Sequence, residues 1–283
     1  MKVSILLPAY KSADLLTKVF CRSWFNHLIS NPDYEVIIYD NGGNNSGKHP
    51  LGELESLKPQ IGYEDIDESL LGIKVIGDGT NVGLNKALNE CAKVANGEYF
   101  YLPHTDMYLM PNSIDALVSA AKNQAPTSFL FCSRSVEPTL GHTRHHIIKN
   151  YGQEADELKV EELLTDFEEY KDKTIEVGAR MPFFMHRKLW DKMGGVDNNY
   201  FSYCTDDDLV QAAWHVGVRK FHMVYDSLVY HLQGKSNNQQ KVDKDSNKPY
   251  EYFVDKWKKN GYPNAKHPGQ WHAEMIPFYT KVR

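Results

Sequence analysis

The chain has 283 residues, 41% of them hydrophobic and 24% charged, and a formal net charge of -5. That length supports one large domain with an appendage, or two small ones, around a core that needs neither disulfides nor a structural metal, and its mixed charges offer no basic field for nucleic acid. The longest apolar stretches, residues 3–8 and 99–103, are too short to cross a bilayer, and Met1-Lys2 runs into a strand-like segment rather than a secretory leader, so a cytoplasmic protein with no transmembrane segment is expected.

Over residues 1–110 short apolar runs alternate with longer segments of helical period, the pattern of a parallel sheet covered by crossover helices, and the fold class expected is α/β. Val3-Ser4-Ile5-Leu6-Leu7-Pro8 reads as a buried first strand. Ser12 is placed to cap a helix whose Leu15, Leu16, Val19, Phe20 and Ser23 share a face. Residues 35–39 form a second strand ending at Asp40, where Asn41-Gly42-Gly43-Asn44-Asn45 turns the chain. After an irregular polar stretch over 44–72 come a third strand (73–76), a helix with Leu84, Ala87, Leu88, Cys91 and Ala95 on one face, and a fourth strand (99–102). Ligands of open α/β sheets gather beyond the carboxyl ends of the strands, so Pro8-Ala9-Tyr10, Asp40 and His104-Thr105-Asp106 are expected to converge on one cleft.

Asn112 is placed to cap a helix reaching residue 122, and 128–132 reads as a strand. An acidic, exposed helix is expected over 152–172. Residues 181–186 are extended, 187–193 make a short helix stopped by Gly194-Gly195, 205–216 make another helix, and 219–231 a late strand. From 235 to 248 Lys, Asn, Gln, Asp and Ser dominate, which marks a linker or loop before an aromatic tail. The cysteines, Cys21, Cys91, Cys132 and Cys204, stand far apart among apolar neighbours, as buried free thiols do.

Carboxylate and imidazole side by side suit a hard or borderline divalent cation, Mn2+ or Mg2+, which makes Asp106 with His104 a candidate metal site; a polar turn after a buried strand is the other reading. Cys204-Thr205-Asp206-Asp207-Asp208-Leu209 sets three carboxylates at a helix start, with Thr205 as cap. Their repulsion raises one of them towards useful base strength, although the helix dipole alone also favours acids there. His231 ends a strand ahead of Leu232-Gln233-Gly234-Lys235-Ser236, a small polar loop able to approach a phosphate, and offers either a metal ligand or an ordinary structural imidazole. Asn81-Val82-Gly83-Leu84-Asn85-Lys86 opens a helix with a glycine that permits close backbone approach to phosphates or a sugar; Asn81 is equally a helix cap. No G-x-G-x-x-G, P-loop or G-x-S-x-G elbow is present.

Taken in order, these segments resemble family-two glycosyltransferases of the GT-A fold over residues 1–236. Val3 to Lys11 looks like the opening strand and donor loop, Tyr39-Asp40-Asn41-Gly42-Gly43 like the base-binding turn, and residues 81–89 with 97–102 like the helix and strand before the metal motif. The resemblance implies a mostly parallel, Rossmann-like sheet with a nucleotide-sugar-binding half (1–110), an acceptor-binding half (111–236), and a linker and tail over 237–283. It implies an inverting hexosyl transfer from a nucleotide-diphosphate sugar, UDP favoured and GDP or dTDP possible, to a glycan or glycoconjugate acceptor. Donor contacts fall on Pro8, Ala9, Tyr10, Asp40, Asn81, Gly83, Lys86, His104, Thr105 and Lys235, and the metal on Asp106 with His104 and His231. Asp206 becomes the candidate base, with Asp207 and Asp208 in reserve. His104 departs from the usual D-x-D, and Thr205 stands where glutamate is usual. Two other readings stay open, a nucleotidyltransferase, for which the loop after the first strand lacks Gly and Arg, and a non-catalytic nucleotide-sugar binder. The tail aromatics and lysines 256, 258 and 259 are consistent with peripheral membrane contact or with a helix packed on the domain.

Overall fold

The computed structural model describes residues 2–42, 72–139, 146–235 and 248–267. The first strand, β1 (Val3–Ala9), pairs in parallel with β2 (Tyr34–Asp40) and with β4 (Tyr99–Leu102), and β2 pairs in parallel with β3 (Ile73–Ile76). Side chains of β1 alternate across the sheet. Val3, Ile5 and Leu7 pack with Leu16, Phe20 and Trp24 of α1 (residues 13–28), whereas Leu6 packs with Ala87, Leu88 and Cys91 of α2 (Leu84–Val94) on the opposite face. The expected first, third and fourth strands and the apolar face of α2 are therefore in place. Much of α1 is wound with π-type turns (Leu16–Cys21 and Trp24–Leu28). Ser12 and Asn112 stand at the expected helix starts, but neither side chain makes a capping bond.

Beyond β4 the sheet is mixed. Antiparallel β9 (Phe183–His186) separates β4 from β6 (Phe129–Glu137), β6 pairs in parallel with β10 (Lys220–His231), and β10 carries the antiparallel strands β5 (Met107–Leu109) and β8 (Ile175–Val177) on its far edge. A two-residue strand, β7 (Ile147–Ile148), runs parallel to the end of β6. Because β9 is antiparallel to both β4 and β6, strands β1, β2, β3, β4, β6, β7 and β10 all point the same way. The α/β class holds, with the reversed strands β5, β8 and β9 interleaved.

Helix α3 (Ser113–Ala121) lies on the α1 face of the sheet through Ile114 and Leu117. The acidic segment is shorter than expected. Helix α4 (Val160–Tyr170) buries Val160, Leu163 and Phe167 against Tyr151 and Tyr230, so one side of it is core rather than solvent. Helices α5 (Arg187–Met193) and α6 (Thr205–His215) cover the α2 face.

The described part of the aromatic tail, residues 248–267, is not a free appendage, and residues 268–283 lie outside the described residues. Residues 236–247 lie outside the described residues, but α7 (Lys248–Lys259) packs Phe253 and Trp257 against Tyr200 and Cys204, so the packed-helix reading is the observed one. Its anchor is Asp208, 3% exposed. That carboxylate accepts hydrogen bonds from Lys256 Nζ at 2.7 Å, Trp257 Nε1 at 3.0 Å and the Tyr200 hydroxyl at 3.2 Å. Lys256 also pairs with Asp197 at 2.9 Å. Removing one partner of a buried pair leaves the other charge uncompensated. Lys256→Ala should therefore lower the unfolding free energy by about 3 kcal/mol in urea titrations, whereas Lys256→Arg should retain most of it.

Candidate active site

Beyond the carboxyl ends of the parallel strands lies a cavity of about 220 Å3. Its walls take Pro8 from the end of β1, Tyr10 and Ser12 from the turn that follows, Asn41 from just after β2, and Pro103, His104 and Thr105 from just after β4. Met181, Ser202, Tyr203, Asp206 and Asp207 close the other side, with Tyr250 of α7. Tyr10 is packed against Gly42, where a Cβ would meet the ring at 2.4 Å, so a side chain at that position would displace the tyrosine. Gly83, at φ +86°, opens α2 where a Cβ would fall 2.8 Å from both the ring and the carbonyl oxygen of Phe201. The Leu84 amide donates to that same carbonyl at 2.6 Å, which staples α2 to the segment carrying Ser202 and Tyr203.

The His104-Thr105-Asp106 motif gains its partner through strand register. Met107 is paired with His231 in the β5–β10 ladder, and the Leu232 amide donates to the Asp106 carbonyl at 3.0 Å. Asp106, fully buried, thus faces the end of β10, with His231 Nε2 3.6 Å from its Oδ2 and the Lys235 amide donating to that oxygen at 3.1 Å. His104, Asp106 and His231 each offer one ligand atom, all within 4.8 Å of one another. Two imidazole nitrogens and a carboxylate oxygen are a donor set that fits Mn2+ well and Mg2+ less readily.

The electrostatics of this cluster favour a cation. Burial acts to lower the His231 pKa, but Asp106 and Glu137 outweigh it and raise the value to about 10. His104 goes the other way, lowered because loss of hydration outweighs the attraction of Asp106 and Asp206. Glu137, at the end of β6, stays below the usual carboxylate range: burial opposes ionisation, but hydrogen bonds from His146 and His231 more than offset it.

The three acids of α6 part company in one helical turn. Asp206 and Asp207 face the cavity, and burial raises Asp206 above the ordinary aspartate range, with Asp207 adding to the rise and His104 and Arg180 opposing it. Asp208 does not fit the reserve-base reading, because 100° per residue carries it to the far side of the helix, onto α7. Thr205 is the first helical residue rather than its cap; Cys204 takes the cap position in a left-handed conformation, and the Thr205 hydroxyl donates to Asn85 Oδ1 at 2.6 Å.

Other expected donor contacts fall behind or beside the cavity. Asp40 and Ala9 are buried and do not line it, and Asn41 takes the wall position. Asn41 Oδ1 accepts from the Val82 amide at 2.8 Å, while Asn81 Oδ1 accepts from the Gly83 amide at 3.1 Å, a turn contact rather than a cap on α2. Lys86 is exposed on a separate shallow depression with Tyr39, Gly77 and Asp78. The Lys235 ammonium is engaged with Glu154, and Ser236 lies outside the described residues. Tyr203 and Tyr250 in the wall, and Glu137 and His146 behind His231, are residues that the motifs did not single out, whereas Asn41 stood in the base-binding turn with the contact expected on its neighbour Asp40.

A family model described as glycosyl transferase family 2 matches residues 4–191. The chain belongs to that family. Among curated proteins, a dolichol-phosphate mannosyltransferase of Pyrococcus furiosus is 27% identical over 123 residues, 44% of this chain and 31% of that protein. A poly(ribitol-phosphate) beta-glucosyltransferase of Bacillus spizizenii is 28% identical over 109 residues, 38% of this chain and 15% of that protein. The match thus spans less than a third of either relative. Among solved structures, residues 1–349 of S. aureus TarS align with TM-score 0.57 and 14% identity over 98% of this chain and 79% of that one. GalNAc-T7, solved with UDP, GalNAc and Mn2+, aligns with TM-score 0.59 and 16% identity over 98% of this chain and 57% of that one. These likenesses establish the GT-A fold.

The two histidines should be separable by titration. In metal-free protein, long-range 1H–15N spectra should show His231 doubly protonated at pH 7 and losing its proton near pH 10, with His104 neutral throughout that range.

Proposed function

We propose that this protein is an inverting, metal-dependent glycosyltransferase that moves a hexosyl unit from a nucleotide-diphosphate sugar to an acceptor hydroxyl in polysaccharide or glycoconjugate synthesis. The observation that carries the reading is that His104, one of the three candidate metal ligands, and the raised carboxylate Asp206 line the same cavity. UDP comes first among donors because TarS has been solved with UDP and with UDP-GlcNAc, and GalNAc-T7 with UDP and Mn2+. GDP- and dTDP-sugars remain to be compared with it. We assign residues 1–110 to the donor half and 111–236 to the acceptor half, with α7 completing the wall at Tyr250. Among the described residues no helix is long and apolar enough to cross a membrane.

In this reading Asp106, His104 and His231 hold the cation, which when bound neutralises charge growing on the departing diphosphate. Tyr10 and Asn41 flank the donor nucleoside, with Asp40 behind them. Asp206 takes the proton of the acceptor hydroxyl as its oxygen bonds to the anomeric carbon and the bond from that carbon to the diphosphate oxygen breaks, inverting the configuration. A carboxylate made more basic by its low-polarity setting suits that transfer. Much of the remaining rate comes from holding both substrates in line.

The test is a thermal-shift and hydrolysis panel of UDP-, GDP- and dTDP-sugars with and without Mn2+. Wild type should show a metal-dependent shift and slow hydrolysis with one donor class, and Asp106→Ala should lose both; no response to any donor sinks the assignment. Asp206→Asn should keep the donor shift while transfer falls roughly 10²–10⁴-fold. Because the cation competes with the His231 proton, apparent Mn2+ affinity should rise with pH, about tenfold per unit up to the pKa near 10. Calorimetry in buffers of different ionisation enthalpy should then register close to one proton released per ion bound.

A further inference from the structure

The strands that build the candidate metal site also enclose a carboxylate that neither the family motifs nor the proposed chemistry uses. Glu137 ends β6 between two neighbours, since Val136 is paired with Tyr230 of β10 and with Ile147 of β7. Its side chain, 1% exposed, therefore lies between a histidine from each neighbouring segment. One oxygen is 3.0 Å from His231 Nδ1, and the other is 2.9 Å from His146 Nδ1 and accepts from Gln233 Nε2 at 2.9 Å. The His146 side chain is itself almost wholly covered.

We propose that Glu137, braced by His146, is a positioning residue for His231, fixing its imidazole so that Nε2 is presented to the cation held with Asp106 and His104. The inference rests on the metal-dependent reading above. An ionised carboxylate only accepts hydrogen bonds, so each group facing it must donate. That assigns a proton to Nδ1 of His231 and leaves Nε2, 3.6 Å from Asp106 Oδ2, as the nitrogen able to ligate. A carboxylate behind a ligating histidine holds the ring's tautomer and angle, and its loss typically weakens metal binding 10–100-fold.

Glutamine is the diagnostic replacement. It keeps the volume but brings one carbonyl oxygen and two N–H groups to a site ringed by three donors, so at least one donor must face another. A carboxylate that served stability alone would, on replacement, lower the melting temperature and leave the metal affinity of the folded protein where it was.

The experiment titrates Mn2+ alone, followed by its paramagnetic resonance, into wild type, Glu137→Gln, His146→Gln and Asp106→Ala, with UDP binding measured separately in chelator. Glu137→Gln should weaken Mn2+ roughly 10–100-fold and His146→Gln should weaken it by a smaller factor, both with metal-free UDP binding unchanged. Folded Glu137→Gln protein with wild-type Mn2+ affinity overturns the positioning role while the metal reading stands, provided Asp106→Ala loses the ion. Wild type that binds no more Mn2+ than Asp106→Ala overturns the metal reading and this inference with it. Should Glu137→Gln fail to fold, His146→Gln decides: weakened Mn2+ binding supports the role, and wild-type affinity overturns it.

Discussion

The common direction of seven strands is the constraint on which everything else depends. With β1, β2, β4, β6 and β10 pointing the same way, their carboxyl ends lie along one edge of the sheet. Groups from residues 10, 41, 104, 137 and 231 become neighbours there without any long loop to fold them inward. Strand β5 is the exception that completes the arrangement. By turning back immediately after Asp106 and pairing with β10, it ties that aspartate to His231 through backbone hydrogen bonds rather than through side chains free to wander.

That edge concentrates charge where water is scarce. Asp106 and Glu137 are buried, Asp206 is raised by lost hydration, and two imidazoles stand among them with displacements of opposite sign. Buried ions are costly unless each finds a counter-charge or a full set of hydrogen bonds. The core beneath carries that cost. Both faces of the sheet are packed with aromatic and branched aliphatic side chains, Phe20, Trp24 and Phe25 on one side and Phe100, Phe183 and Trp190 on the other.

The strands at 3–8, 73–76 and 99–102 and the helix at 187–193 were legible in the sequence because each is a continuous apolar run or a run with a clear stop. Strands β5, β7 and β8 have three residues or fewer, too short for any period to register. The continuation of β6 to Glu137 was hidden by Ser133 and Ser135, which read as a polar end but are buried; Ser133 is satisfied by Tyr101 and Ser227 across the sheet. Adjacency likewise pointed to three acids at the start of α6 without telling which of them faces the cavity, because that depends on how the helix is rotated against its neighbours. Glu137 could not be found at all. Nothing near it in the chain is unusual, and its partner His231 lies 94 positions away, brought alongside only by strand register.

The placement of α7 has a temporal consequence. Tyr250 forms part of the cavity wall, and Lys256 and Trp257 hold Asp208, two positions beyond Asp206 on α6. During synthesis the cavity therefore stays open on one side until the chain has been made past residue 257 and α7 has docked. Until then the apolar surface of Tyr200 and Cys204, which Phe253 and Trp257 cover in the finished fold, lies open, and exposed apolar surface of that kind is prone to association.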